Sequence, residues 1–276
     1  DVLPKFSKDT TDRNRTSPLA FTGNKFEFRM PGSSQNIALP NTVLNTAVAE
    51  SFRQFADVIE KAKKPDEAIA RLIKETFTAH RRILFDGNGY SADWEREAAR
   101  RGLRNLKNSV EAYRTFTEEK NIRLFSSFGV MSEVEMRSRE EIFFENYTKI
   151  INIEALAMLE MAARDYIPAV ERYIADIADT AAKKQAVCTD VSCAVEKDII
   201  RRLSELNAQA YSAVQRLQAL EAEAAGVTDV RDRAECYCSR VLPAMRELRA
   251  AVDGMETLTA SRYWPVPTYG DMMFRV

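Results

Sequence analysis

A chain of 276 residues with 45% hydrophobic content is long enough to bury a sizeable core in one or two domains. Its 40 basic residues balance 41 acidic ones, so no net field draws it to nucleic acid or to an anionic membrane. No apolar run approaches the roughly 18 residues of a membrane span, and Asp1-Val2-Leu3-Pro4-Lys5 is not a secretory leader, which makes the cytoplasm the expected location.

Residues 1–23 scatter Pro4, Pro18 and Gly23 among polar residues and read as a loop. From Lys25 to Arg29 charged and aromatic residues alternate, so a strand there sets Lys25, Glu27 and Arg29 on one face and Phe26 and Phe28 on the other. Arg13 and Arg15 arrive on the preceding loop. Cations around one carboxylate suit a nucleotide phosphate and its metal: guanidinium forks hold phosphoryl oxygens, and a hard oxygen ligand such as Glu27 takes Mg²⁺ or Mn²⁺. The same alternation fits a solvated sheet face with cross-strand ion pairs. The strand has no evident hairpin mate in this chain, and an isolated strand is not stable alone.

Beyond a turn at Pro31–Asn36, Asn41 or Thr42 caps a helix whose apolar positions recur at three and four. It is expected to run to about Lys63 and to pack under the strand's phenylalanine face. Lys64-Pro65-Asp66 forms a boundary, because proline bars the preceding residue from a helix and Asp66 caps a new one. That second helix covers 66–85 until Gly87-Asn88-Gly89. Ser91 then caps a short helix to Arg101 with Trp94 inward, and Gly102 ends it. His80, the single histidine, sits beside Arg81 and Arg82 and reads as a solvated residue rather than a metal ligand.

Residues 103–118 form a further predicted helix, with Gly129 marking a turn. Ser132 and Glu135 make a capping box that opens the longest periodic run. Its apolar positions from Met136 to Met161 leave almost no solvated face, which predicts burial between neighbours, and Pro168 should kink or break it near Asp165. Ala194–Ala225 and Asp229–Ala260, separated by Gly226-Val227-Thr228, are spaced as an antiparallel pair. The four cysteines lack the spacing of a zinc knuckle and read as reduced, packed thiols. The apolar tail from Trp264 to Phe274 shows no helical period and is expected to dock on another surface, such as the segment carrying the strand.

The expected architecture is therefore mainly α: a multi-helix bundle with long antiparallel helices attached to a short β-containing piece. Its boundaries are 1–64, 65–260 and a tail at 261–276.

Several segments carry a resemblance. Arg13-Asn14-Arg15, Asn24-Lys25-Phe26-Glu27-Phe28-Arg29 and Met30-Pro31-Gly32-Ser33-Ser34 closely resemble the C-terminal part of the glutamine synthetase catalytic domain, in the version of the large type III enzymes. Further matches fall at Glu133–Met136, Asn152–Leu156 and Trp264–Asp271. The resemblance implies a ligase in which ATP phosphorylates the glutamate side chain and ammonia displaces phosphate from γ-glutamyl phosphate, with two divalent metals, Mg²⁺ or Mn²⁺, screening the phosphates. Carried over by position, Glu27 resembles the metal ligand and Arg29 the arginine that reaches the glutamate carboxylate and the transferred phosphoryl group. Arg15 resembles a phosphate-holding arginine; Lys25, on the same strand face, and Arg13, on the preceding loop, are further candidates for a phosphate contact. This chain departs from the pattern at Leu19-Ala20-Phe21, where other classes usually carry another arginine. The family's ligating histidine and remaining carboxylates lie upstream in the domain, so His80 does not match them.

The resemblance makes the chain look like a fragment, inactive alone, of an enzyme acting on glutamate, ammonia and ATP. The whole enzyme would be a homo-oligomer of stacked rings, with no nucleic acid or membrane partner. Two other readings are a free-standing helical scaffold that binds a partner through its long hairpin, and a phosphate-binding regulatory module without catalysis.

Overall fold

The computed structural model describes residues 19–21, 26–28, 36–85, 89, 91–267 and 269–274. It is mainly α, as expected, and divides into two compact units.

The first unit holds residues 1–107 and 115–136. Strands β1 (Leu19–Phe21) and β2 (Phe26–Phe28) pair antiparallel, with Ala20 opposite Glu27. The expectation of a strand without a mate is thus corrected. Leu19-Ala20-Phe21, read as loop because Pro18 and Gly23 flank it, supplies the partner.

Helix α1 (Ala38–Glu60) begins before the predicted cap. Asn36 Oδ1 accepts from the Ala38 N–H at 2.7 Å, and Pro40 falls in the first turn, where a missing N–H costs no helical bond. The packing of α1 beneath Phe26 and Phe28 lies outside the described residues; on α1 itself Phe52 is exposed. Helix α2 (Pro65–Ala79) starts with Pro65 in its first turn and stops short of 85, followed by a 3₁₀ turn at Arg81–Ile83.

Helix α3 (Ala92–Arg100) follows the prediction: Ser91 Oγ accepts from the Trp94 N–H, and Trp94 stacks on Phe85 with centroids 3.8 Å apart. Gly102, at φ +71°, closes it with its own N–H bonded to the Ala99 carbonyl and that of Leu103 to Ala98, the paired bonds of a Schellman end. In place of one helix over 103–118 there are two. Asn108 Oδ1 accepts from the Glu111 N–H at 2.8 Å and starts α4 (Ser109–Arg114), and α5 (Glu119–Ser127) follows. Gly129, at φ +63°, repeats the Schellman end after α5, and Ile122, Phe125, Met131 and Met136 form that unit's buried cluster.

The second unit holds residues 108–114 and 137–276. Helix α6 (Glu133–Met161) opens on the capping box, with Ser132 N–H bonded to Glu135 Oε2 at 2.8 Å. Its buried face is narrower than predicted. Glu140, Phe144, Thr148 and Ala155 face inward, while Ile142, Ile150, Ile153 and Leu156 are exposed. Apolar residues occupy both faces here, so apolar periodicity alone overstates burial.

Pro168 does not break the helix. A π turn at Ala162–Tyr166 replaces the α ladder where the proline lacks a donor, and α7 (Ile167–Val187) continues from it. Helix α8 (Ala194–Ala225) has the predicted bounds and, at 32 residues, reaches roughly 48 Å. Its partner consists of α9 (Val230–Cys236), a second π turn at Tyr237–Val241, and α10 (Leu242–Leu258), with Pro243 just past the turn. The apolar spacing predicts one uninterrupted segment over Asp229–Ala260, and the structure divides it.

Ion pairs fix the directions. Arg240 holds Glu223 through both Nη atoms at 2.6 Å and Arg216 holds Glu247 at 2.7 Å, so α8 and α10 run antiparallel. Asn207 donates to Glu171 at 2.6 Å and Lys184 pairs with Glu196, so α7 and α8 do likewise. The core between them holds Leu203, Leu217, Val241, Leu248 and Met255. The tail docks within its own unit: Trp264 is buried against Tyr166, Tyr263 donates to Asp176 at 2.6 Å, and a short α11 (Tyr269–Phe274) follows. The four cysteines are free, and Cys188, expected to pack, is instead exposed and donates to Asp190.

Candidate functional site

Of the predicted phosphate and metal residues, Glu27 lies on β2. The hairpin fixes the backbone of Glu27 in the middle of that strand, in register with Ala20. Arg13, Arg15, Lys25 and Arg29 lie outside the described residues. Among the described residues no group of three or more His, Cys, Asp or Glu is placed to hold a metal ion. The described part of the chain therefore does not fit a divalent metal centre of its own. His80 is exposed at the end of α2, where its backbone N–H bonds the Thr76 carbonyl.

Several polar groups pair between helices of the second unit. Glu140, only 2% exposed, pairs with Arg231 at 2.6 Å. Asn152 donates to both Glu221 and the Tyr237 hydroxyl at 2.8 Å, and burial pushes the Tyr237 hydroxyl pKa up. Burial, then a hydrogen bond with Cys238, does the same to Tyr147. Apolar periodicity does not mark Glu140 and Thr148, although their spacing of four from Met136 and Phe144 places them on the same buried face. Among the described residues no helix is long and apolar enough to cross a membrane.

The comparisons with known proteins agree with the resemblance. Residues 68–185 match the family model described as the glutamine synthetase C-terminal domain. The chain is 38% identical over 279 residues to a type-3 glutamine synthetase of Dictyostelium discoideum, covering 99% of this chain and 38% of that protein. It is 37% identical over 277 residues to a glutamine synthetase of Butyrivibrio fibrisolvens, covering 98% and 39% respectively. With a glutamine synthetase of Bacteroides fragilis (strain YCH46) the identity is 31% over 280 residues, 99% of this chain and 38% of the relative. The chain thus spans under two fifths of the length of the curated relatives it matches. The family's C-terminal domain model thus falls on α2 through α7, and alignment with proteins named glutamine synthetases runs through nearly the whole chain.

Proposed function

We propose that the chain is the C-terminal part of an ATP-dependent glutamate–ammonia ligase that forms glutamine through γ-glutamyl phosphate. The observation that carries this is the reach of the similarity: 98–99% of the chain aligns with three proteins named glutamine synthetases, so the segment bearing Arg13 to Arg29 is matched along with the helices.

In this reading Glu27 contributes one ligand to a divalent metal, Mg²⁺ or Mn²⁺, whose other ligands come from chain beyond these residues. Arg29 stabilises the charge that grows on the transferred phosphoryl group, and Arg15, Arg13 and Lys25 hold ATP phosphates. Residues 1–64 belong to the catalytic domain, 65–260 form a helical region for ring assembly or regulation, and 261–276 dock back. The enzyme acts in the cytoplasm as a homo-oligomer. Because the helical residues cannot supply the missing ligands, the chain alone makes no glutamine.

The test is a chimera in which this chain replaces the matching segment of the Dictyostelium relative. Glutamine formation from glutamate, ammonia and Mg·ATP is expected, and Glu27→Ala or Arg29→Ala should lower kcat by about 10²-fold or more. An inactive but folded and assembled chimera, or full activity in both variants, would overturn the reading, as would glutamine formation by the isolated chain for the claim of inactivity. The exposed apolar side chains Phe52, Ile73 and Phe77 favour, as a second reading, a helical scaffold that binds a partner protein. The hairpin mate of β2 removes one objection to it, since the strand no longer stands alone.

A further inference from the structure

A cavity of about 340 Å³ lies beside the π turn that joins α6 to α7, within the range of roughly 300–1,000 Å³ typical of small-ligand sites. We propose that it binds a small organic cation with an apolar body, such as a phenylalkylammonium. The proposal does not rest on the ligase reading, because every residue of this site belongs to the helical unit.

The lining is mostly apolar. Met158 and Met161 approach from α6, and Ala162 at the head of the π turn leaves room where a larger side chain would fill it. Tyr166 closes the same turn and stacks on Trp264, ring centroids 5.1 Å apart and planes 23° from parallel, and Leu248 and Val252 come from α10. Thioether sulfurs are polarizable and adapt to irregular ligands, and the electron-rich faces of the two rings attract a positive charge.

The sign of the ligand follows from the rim. Arg249 and Asp253 pair with each other at 3.3 Å. Glu256, the third charged residue at the cavity, is half-buried and has no ion pair among the described residues. The rim therefore carries one net negative charge, which favours a cation and repels a carboxylate of the same shape.

The experiment uses the full chain with Trp94→Phe, which leaves Trp264 as the only indole of the two in the sequence. Its fluorescence is titrated with 4-phenylbutylammonium, 4-phenylbutanol and 4-phenylbutyrate. The expected result is a saturable change with the ammonium, at least about fivefold weaker binding of the carboxylate, and about threefold weaker ammonium binding in Glu256→Gln. Val252→Phe, which fills the cavity, should abolish the change; circular dichroism establishes that it folds, and if it does not, the charge series decides. No saturation below about 10 mM ammonium, equal binding of the three probes, or full ammonium affinity in Glu256→Gln would each overturn the proposal.

Discussion

At Gly254, α10 packs so near α8 that even a methyl group would press on its partner. A Cβ built there would lie 3.0 Å from Leu206 Cδ2 and 3.4 Å from its Cδ1. Gly254→Ala gains about 0.8–1 kcal/mol of helix propensity but must push aside the methyl end of one flexible side chain, so the net change should stay within about 0.5 kcal/mol of zero. Gly254→Leu has no such escape, because its branch point would enter the volume of the whole isobutyl group. It should cost about 2 kcal/mol. Leu206→Ala, removing a half-buried side chain, should cost about 1–2 kcal/mol alone yet restore more than about 1 kcal/mol in the Gly254→Leu background. The assay is urea unfolding followed by circular dichroism, with the midpoint and slope compared across the cycle. Strictly additive losses, or a Gly254→Leu chain as stable as the parent, would refute the picture of an α8–α10 contact set by one missing Cβ.

Three further outcomes follow from local geometry. Gly129→Ala should destabilise by about 1–2 kcal/mol, all of it from the left-handed backbone, since nothing lies within 4 Å of the added methyl; an unchanged urea midpoint would count against the Schellman end. Tyr237→Phe removes one acceptor from Asn152 while Glu221 remains, so a loss of about 1 kcal/mol is expected, and no change in midpoint would show that the hydroxyl does not matter. Hydrogen bonds from Arg100, then Arg101, hold the Glu97 carboxyl down at about 2 against an ordinary 4.5. A depressed folded pKa stabilises above the unfolded value, so this contribution is present above pH 4.5 and is lost as pH falls toward 2. Arg104 acts on Glu118 in the same direction, and Arg240 on Glu223. Glu97→Gln should flatten the acid limb of the urea midpoint plotted against pH; an identical limb would show the pair to be without effect.

The long helices were legible because their signals are local and repeated. Ala194–Ala225 came out with its bounds intact, since its apolar residues keep one spacing for the whole length and Gly226 ends it. The capping pair Ser132 and Glu135 and the terminal glycines 102 and 129 were legible for the same reason: each satisfies a backbone group a few residues away. The misses are places where a distant partner decides. Leu19–Phe21 becomes a strand only by pairing with Phe26–Phe28, and the exposed isoleucines of α6 look like core until Glu140 and Thr148 are found on the inner face. At the candidate site, alternation placed Glu27 in a strand, but a resemblance rather than geometry assigned its chemistry. The cavity left no pattern in the sequence, because its walls come from α6, the π turn after it, α10 and the tail.

Both π turns stand just ahead of a proline, Pro168 and Pro243, and both adjoining helices lie against α8. Each extra residue acts as a phase shifter: it rotates everything downstream by about 100° relative to an unbroken helix. Deleting one residue from Ala162–Tyr166 would carry Ala169 and Val170 away from the interior and drive the Pro168 ring into the carbonyl one turn back. Length changes should therefore be tolerated at the connection 188–193 and rejected at these two turns, which makes them the fixed points about which this part of the chain can vary.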